Sequence, residues 1–99
     1  MKALLEKLSI KEVNPGGCTG PDGWIEDPAG KQLISYNPTN GEPIAKVIQV
    51  IPASYERIAA NAHQAYLTWR SLPAPKRGQV VRDLGDALRE FKEPLGDLV

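Results

Sequence analysis

Two stretches of helical periodicity decide the fold, and both lie in the segment from Pro52 to Val99, which reads PASYERIAANAHQAYLTWRSLPAPKRGQVVRDLGDALREFKEPLGDLV. Apolar residues recur three and four positions apart in each stretch. In the first stretch these residues are Tyr55, Ile58, Ala59, Ala62, Tyr66 and Trp69, and in the second they are Val80, Val81, Leu84, Ala87, Leu88 and Phe91. This spacing predicts two helices, each with one apolar face.

The predicted helices cover residues 52–71 and about 74–91, and the proline-containing linker Leu72–Pro75 joins them. Because the linker is too short to let the helices part, we expect an antiparallel pair that covers some other surface. Pro94 cannot lie inside a helix, so a third helix is expected to begin there.

The first half of the chain predicts a short helix followed by strands. Residues 2–8 suit a short amphipathic helix, whereas 14–23 have the glycine and proline content of a loop. Strands are predicted at 23–27, 32–36 and 44–50. The first two read as strands around Pro28–Lys31, where Gly30 can take the positive φ of a tight turn. The predicted fold class is α/β, and α+β within this chain: a short N-terminal helix, three short strands and two long antiparallel helices.

The composition excludes several classes of partner. The 99 residues carry 12 basic and 12 acidic side chains, with no basic block. Nucleic acid and anionic membrane surfaces are therefore not predicted as partners. No apolar run approaches the roughly 18 residues of a membrane span. The single cysteine cannot form an internal disulfide, which favours a reducing, cytoplasmic compartment.

The candidate catalytic and ligand-binding patterns are weak. The glycines of 14–23 match neither G-x-G-x-x-G nor a P-loop. Cys18 and His63 could form the nucleophile and base of a small cysteine hydrolase, but an ordinary loop cysteine is the favoured interpretation. No group of His, Cys or carboxylate residues has metal-ligand spacing. We therefore predict no catalytic, cofactor-binding or metal-binding residue in this chain.

Two features suggest that a larger body covers this chain. The predicted strand 44–50 carries apolar residues on both faces, and such a strand needs cover on both sides. The apolar spacing Leu84, Leu88, Phe91, Leu95 and Leu98 also continues to the last residues without a terminating cap. We expect the chain to be one piece of a longer protein.

From Tyr36 onward the sequence resembles the N-terminal region of the aldehyde dehydrogenase superfamily. The motifs are YNPTNGE at 36–42 followed by the strand at 44–47, an alanine-rich helix closing on YLTW at 66–69, LPAPKRG at 72–78, and LGDALR at 84–89. In detail the chain is most similar to the antiquitin branch, through NGEPIA at 40–45, PAPKRG at 73–78 and LGDLV at 95–99. The resemblance is strong over 36–99 and loose over 1–35.

The resemblance implies an aldehyde dehydrogenase-like fold and an NAD-dependent oxidation of an aldehyde to a carboxylate. For the antiquitin branch the substrate is α-aminoadipic semialdehyde, an intermediate of lysine catabolism. A cysteine thiolate attacks the aldehyde, hydride passes to the nicotinamide, and a glutamate activates the hydrolytic water. In the family pattern these residues lie beyond position 99, and Cys18 does not match the nucleophile. In some relatives the backbone just before Asn-Pro helps to hold a structural monovalent cation, which would correspond to Ser35 and Tyr36.

The resemblance also implies which parts of the enzyme this chain contains and which parts it lacks. Residues 1–22 would be a short helix and a Gly/Pro loop, 23–51 the strands, and 52–99 the helical pair with the start of a third helix, while the cofactor, catalytic and oligomerisation parts are absent. The chain is then a scaffold that is inactive alone and binds no NAD. Its partners are the remainder of the enzyme chain or the other subunits of a homo-oligomer. This oligomer is expected to be a tetramer. The alternative is a free-standing protein-interaction module without enzymatic activity.

Overall fold

The computed structural model describes residues 1–20 and 22–99. These residues contain four helices and five short strands. In chain order the elements are α1 (Lys2–Lys7), β1 (Val13–Pro15), β2 (Gly17–Cys18), β3 (Trp24–Ile25), β4 (Gln32–Tyr36), β5 (Pro43–Ile48), α2 (Pro52–Trp69), α3 (Ala74–Glu90) and α4 (Lys92–Leu98). The predicted fold class, a mixture of helices and short strands, is confirmed.

Prolines mark the starts of the long helices. Pro52 is the first residue of α2 and Pro75 is the second residue of α3, positions where the missing N–H has no intrahelical partner to lose. The third helix, α4, begins at Lys92 rather than at Pro94. Pro94 is still within the first turn of α4, which explains why the helix can start earlier than predicted.

The two long helices do not pack along their lengths. Within the described residues α2 and α3 make few contacts with each other, so the expectation that the short linker would hold them together is wrong. Pro73 has φ −56° and ψ 144°, an extended conformation that directs α3 away from α2. Each helix therefore presents its apolar face separately.

The strand β5 is the centre of a three-stranded mixed sheet. β1 pairs with it in parallel and β4 pairs with it antiparallel, giving the order β1-β5-β4. A second sheet consists of β2 and β3, which are antiparallel. The predicted strands at 23–27 and 32–36 thus belong to different sheets. They do not pair with each other because β4 takes the central apolar strand β5 as its neighbour.

The role expected for Gly30 is also wrong. Its φ is not positive; among the described glycines, positive φ occurs at Gly20, Gly23 and Gly41. Gly30 lies instead against the backbone of Gln49, and a Cβ at this position would overlap the Gln49 carbonyl oxygen. Beside it the Gln49 amide donates to the Lys31 carbonyl at 2.8 Å. The glycine is required here by close approach of two chain segments.

The glycine-rich stretch 14–23 contains strand structure that its composition did not predict. The Asn14 side chain bridges two segments, because its Nδ2 donates to the Lys11 carbonyl at 2.7 Å and to the Lys46 carbonyl at 3.1 Å. A Cβ on Gly16 would overlap the Ile48 carbonyl oxygen. Here too glycine allows a backbone to lie directly against β5.

Candidate functional site

The most informative feature of the surface is the large apolar area that the chain itself does not bury. No hydrophobic residue among the described residues is buried. The accessible surface is 7916 Å², whereas a compact protein of this mass exposes about 5,500 Å², so the surplus is about 2,400 Å². The radius of gyration is 16.6 Å, against about 13 Å for a compact domain of 100 residues. The chain is a flat layer of 48 × 35 × 18 Å with an uncovered apolar surface.

The exposed apolar residues follow the predicted helix faces. On α2 they include Tyr55 and Tyr66, while Ile58 and Trp69 are half-buried. On α3, α4 and the turn between them they are Val80, Val81, Leu84, Leu88, Phe91 and Leu95. The sheet adds Leu33, Tyr36 and Val47. An apolar surface of this extent is typical of a protein interface or of the inner face of a larger fold.

A groove of about 550 Å³ runs between β2 and α2 beside Cys18. Its α2 wall includes Asn61, Ala62 and Ala65. The Cys18 thiol is free and exposed, and its Sγ accepts a hydrogen bond from the Gly20 amide at 3.4 Å. His63 is not among the residues that line this groove.

His63 lies instead beside an aromatic ring. Its ring centroid is 6.2 Å from that of Tyr66, and the Arg70 guanidinium stands 5.6 Å from the same tyrosine ring. No hydrogen bond joins Cys18 to His63 in the described part of the chain. Nucleophilic catalysis needs the base within hydrogen-bond reach of the nucleophile. The structure therefore does not support the cysteine hydrolase hypothesis.

The metal and cation predictions concern different parts of the fold. Across residues 1–20 and 22–99 there is no group of three or more His, Cys, Asp or Glu side chains that could hold a metal ion. Ser35 and Tyr36 lie at the end of β4, where the pairing with β5 shifts register, and Tyr36 is exposed. A cation held by the backbone of these two residues stays a prediction.

The described residues offer a poor fit to a dinucleotide. Pyrophosphate is usually held by free backbone N–H groups at the start of a helix. Proline occupies that first turn in both α2 and α3 and removes a donor from each. A Cβ on Gly17 would meet the side chains of Val50 and Ile58, so this glycine faces protein rather than open space. We assign no cofactor contact to this chain.

Asp27 is a structural site that sequence reasoning missed. Its Oδ2 accepts from the Ile51 amide at 3.2 Å, and its Oδ1 accepts from the Ser54 hydroxyl at 3.0 Å. Ile51 is the N-cap of α2, so the carboxylate lies at the positive end of the helix. Asp27 thereby connects the loop after β3 to α2. The local signal was that Ile51, the residue at the cap position, has an apolar side chain that cannot accept a hydrogen bond. The cap therefore had to come from a residue elsewhere in the chain.

Replacing Asp27 by alanine is expected to loosen the first turn of α2. The loss of a charged cap should lower its local unfolding free energy by about 1–2 kcal/mol. Hydrogen exchange of the Tyr55 amide, which bonds to the Ile51 carbonyl, measures this. Asp22→Ala is the matched control, since among the described residues Asp22 pairs with the exposed Arg57 and its loss should change the value by less than about 0.5 kcal/mol. Equal effects of the two substitutions would contradict the capping role.

One further observation concerns membranes. None of the helices in the described ranges is long and apolar enough to cross a bilayer.

Comparison with known proteins accounts for nearly the whole chain. The aldehyde dehydrogenase family model matches residues 24–99. The chain is 44% identical over 97 residues to an alpha-aminoadipic semialdehyde dehydrogenase of Bos taurus, which covers 98% of this chain and 17% of the relative. It is 41% identical over 96 residues to an aldehyde dehydrogenase family 7 member A1 of Malus domestica, covering 97% of this chain and 18% of the relative. The chain thus spans less than a fifth of the length of these relatives.

Proposed function

Because this chain belongs to the aldehyde dehydrogenase family, we propose that it is the N-terminal scaffold segment of an NAD-dependent aldehyde dehydrogenase. The relatives most similar to it include enzymes named for α-aminoadipic semialdehyde, and this aldehyde is the substrate we assign to the parent enzyme, in lysine catabolism. The segment itself carries no complete active site. Its role is to cover the body of the enzyme with its apolar faces.

The uncovered apolar surface carries this proposal. A chain with no buried hydrophobic residue in its described part and about 2,400 Å² of surplus surface lacks the core on which independent folding depends. The amount of surplus suits the contact of a segment with its own protein, since permanent interfaces bury about 2,000–5,000 Å² in total. The share of the relatives that the chain spans, 17–18%, leaves ample protein to supply the missing cover.

The chemistry belongs to the remainder of the parent enzyme. NAD accepts the hydride of the aldehyde there, and the nucleophilic cysteine is a residue other than Cys18. The residues of this chain pack against other segments of the parent enzyme and do not contact the reacting atoms. Within it we assign the short helix and the Gly/Pro segment, which includes β1 and β2, to 1–22, the remaining strands to 23–51 and the long helices with the start of a third helix to 52–99.

The proposal also covers the cellular compartment of the parent enzyme, its subunit assembly and a cation site. The free thiol of Cys18 suits a reducing, cytoplasmic compartment. The partners are the rest of the enzyme chain and its other subunits, in a homotetramer. Ser35 and Tyr36 contribute backbone oxygens to a structural cation site in the complete enzyme.

We expect the 99-residue chain to form no NADH when mixed with NAD and α-aminoadipic semialdehyde. Absorbance at 340 nm measures the product, and titration of the protein's tryptophan fluorescence with NAD measures binding. The full-length bovine relative provides the positive control in the same buffer. Turnover of the 99-residue chain at a rate typical of enzymes, about 1 per second or faster, would refute the scaffold assignment.

A free-standing interaction module is the second candidate function. The exposed apolar faces of α2 and α3 favour it, because they could bind intact subunits of a related enzyme. The coding sequence beyond the Val99 codon distinguishes the two functions. An open frame that continues to an active-site cysteine supports the scaffold segment, whereas a stop codon directly after Val99 supports the module.

A further inference from the structure

The turn between β4 and β5 contains Asn40 followed directly by Gly41, a pair whose chemistry the scaffold function does not use. In such a pair the backbone nitrogen of the glycine can attack the side-chain carbonyl of the asparagine and form a five-membered succinimide ring. Glycine favours this attack because it has no side chain to hinder the approach. The pair is therefore a candidate site of spontaneous deamidation.

The other asparagines of the chain are poorly suited to the same reaction. They are Asn14, Asn37 and Asn61. Proline follows Asn14 and Asn37, and its nitrogen carries no proton that could be lost to make a nucleophile. Asn61 precedes an alanine in the interior of α2, where the backbone amides donate to helical carbonyls. The turn after β4 is thus the place where the chain favours ring formation.

The reaction requires water and no other co-reactant. The Gly41 nitrogen gives up its proton and bonds to Cγ of Asn40, and the Cγ–Nδ2 bond breaks as the side-chain nitrogen takes up the proton and leaves as ammonia. Water then opens the ring at one of its two carbonyls. One opening gives aspartate, and the other gives isoaspartate, whose backbone is longer by one carbon atom. Either product replaces a neutral amide by a negative charge.

Water and base have free access to the pair. Asn40 and Gly41 are both exposed. Gly41 has φ 71°, and a Cβ built on it would meet nothing within 4 Å. Solvent access therefore does not limit the reaction, and its rate depends on how the turn holds the two reacting groups.

The closed turn engages both reacting groups in hydrogen bonds. The Gly41 amide donates to the Asn37 carbonyl at 2.7 Å, and the Asn37 amide donates to the Glu42 carbonyl at 2.8 Å. Oδ1 of Asn40 accepts from the Glu42 amide at 2.9 Å, which is the amide after the one that would attack. The nucleophile thus donates its proton to another residue, and the side-chain carbonyl is oriented by a different amide.

These hydrogen bonds have opposite effects on the attack. The Glu42 amide alone would assist it, because a donor to Oδ1 stabilises the negative charge that develops there. The bond from Gly41 to the Asn37 carbonyl opposes it, since the nitrogen cannot become a nucleophile while its proton is held. The second effect prevails because loss of this proton comes first. Deamidation then shares its opening step with exchange of the Gly41 amide hydrogen.

We propose that Asn40 is a deamidation site whose rate is controlled by the β4–β5 turn: the closed turn suppresses ring formation, and the opened turn permits it. The isoaspartate product lengthens the backbone between Asn37 and Glu42, so the turn does not reclose with the same hydrogen bonds. Opening followed by reaction is then irreversible. The inference goes beyond the scaffold function, since it concerns a covalent change that involves neither the cofactor nor the aldehyde.

Peptide mapping by mass spectrometry of the 99-residue chain tests the proposal. The chain is incubated in mildly alkaline buffer with and without concentrated urea. We expect deamidation of Asn40 to be at least about fivefold slower without urea, because the bonds of the closed turn must first break. A synthetic peptide of residues 36–43, whose rate should differ less than about twofold between the two buffers, corrects for any effect of urea on the chemistry.

Hydrogen exchange verifies that the turn is closed in the same sample. The hydrogen bonds of the turn lie within residues 37–42, so the measurement does not depend on cooperative folding of the whole chain. The Gly41 amide should be protected by a factor within about threefold of the factor by which deamidation is slowed, because both processes start from the open turn.

Asn37→Ala should accelerate the reaction by loosening the turn. Oδ1 of Asn37 accepts from the Thr39 amide at 2.9 Å, and this bond is lost while both reacting groups remain. We expect the rate at Asn40 to rise at least about threefold in buffer and to stay unchanged in urea. Asn61→Ala is the matched control on α2 and should change the rate at Asn40 less than about 1.5-fold.

The two products should differ in their effect on the turn. Asn40→Asp keeps an oxygen that can accept from the Glu42 amide, so protection of the Gly41 amide should change less than about twofold. The chain that contains isoaspartate, separated from the aspartate form by chromatography, should lose this protection. Retained protection in the isoaspartate chain contradicts the irreversibility of the change.

The remaining outcomes overturn the control by the turn. Equal rates at Asn40 in buffer and in urea, or a Gly41 amide that exchanges as fast as in the peptide, show that the turn does not suppress the reaction. Acceleration by Asn37→Ala in both buffers shows that the substitution acts on the chemistry and not on the turn. Each of these results leaves NADH formation unaffected, so the scaffold function is tested separately.

Discussion

Replacing Gly30 by alanine is expected to remove the protection of backbone amides against hydrogen exchange in the sheet around β5. The new Cβ would overlap the carbonyl oxygen of Gln49, a backbone atom that cannot move without displacing the end of β5. The hydrogen bond from the Gln49 amide to the Lys31 carbonyl lies at the same crossing. Overpacking of this severity costs about 3 kcal/mol, which corresponds to a roughly 100-fold loss of protection. Hydrogen exchange of the Gln49 and Lys46 amides measures it.

Gly78→Ala is the control for the same chemical change. Gly78 lies within α3, and a Cβ there would meet nothing within 4 Å. Alanine is the better helix former by about 1 kcal/mol, so this change should slightly stabilise α3 and leave the Gln49 amide as protected as before. Unchanged protection in Gly30→Ala would show that the two segments do not approach as closely as the structure indicates.

The isolated chain is expected to unfold without a single cooperative transition. Two-state behaviour and a stability of about 5–15 kcal/mol come from a shared buried core. The described residues bury no hydrophobic side chain, so their elements share no apolar core. At about 1 µM protein, urea unfolding followed by far-ultraviolet circular dichroism should therefore differ in midpoint from unfolding followed by tryptophan fluorescence. Trp24 on β3 and Trp69 at the end of α2 supply the fluorescence.

Dye binding gives a second measure of the same property. The fluorescence of anilinonaphthalene sulfonate should rise in the presence of the folded chain, because its apolar surface is open. Steep, coincident transitions of a strict 10.8 kDa monomer without dye binding would contradict the open structure.

The helices of this protein were predictable because helix formation is local. The spacing of Leu84, Leu88 and Phe91 already defines the apolar face of α3, and the observed helix, Ala74–Glu90, matches the prediction closely. Proline supplied the boundaries of α2 and α3, since its effect on a helix depends on neighbouring backbone atoms alone. The early start of α4 shows the limit of such a rule, because a proline is excluded from a helix interior and not from its first turn.

The strand pairing was less accessible because it joins distant segments. β4 and the central strand β5 were predicted, at nearly the observed positions, but the partner of β3 is β2, in a stretch that its glycines marked as a loop. Gly16 and Gly30 both face carbonyl oxygens near the end of β5. A glycine that allows close approach and one that makes a turn look alike in sequence.

The candidate site was also only partly predictable from the sequence. The absence of a cysteine–histidine pair was the favoured interpretation of the residues, and the structure places His63 against Tyr66 rather than beside Cys18. Asp27 was not predictable, since nothing near Ile51 in sequence indicates that a carboxylate from another segment accepts its amide hydrogen. A cap supplied through space leaves no local pattern.

The sequence by itself determined the family, the helices and the apolar surfaces that need cover, because each depends on residue type and on spacing along the chain. The tertiary structure decided which strands pair, which glycines are crossing points, and that α2 and α3 separate after Pro73. It also decided that the described residues form a flat layer rather than a closed core. Those properties arise from distances between segments far apart in the chain, and the pattern of a single segment does not contain them.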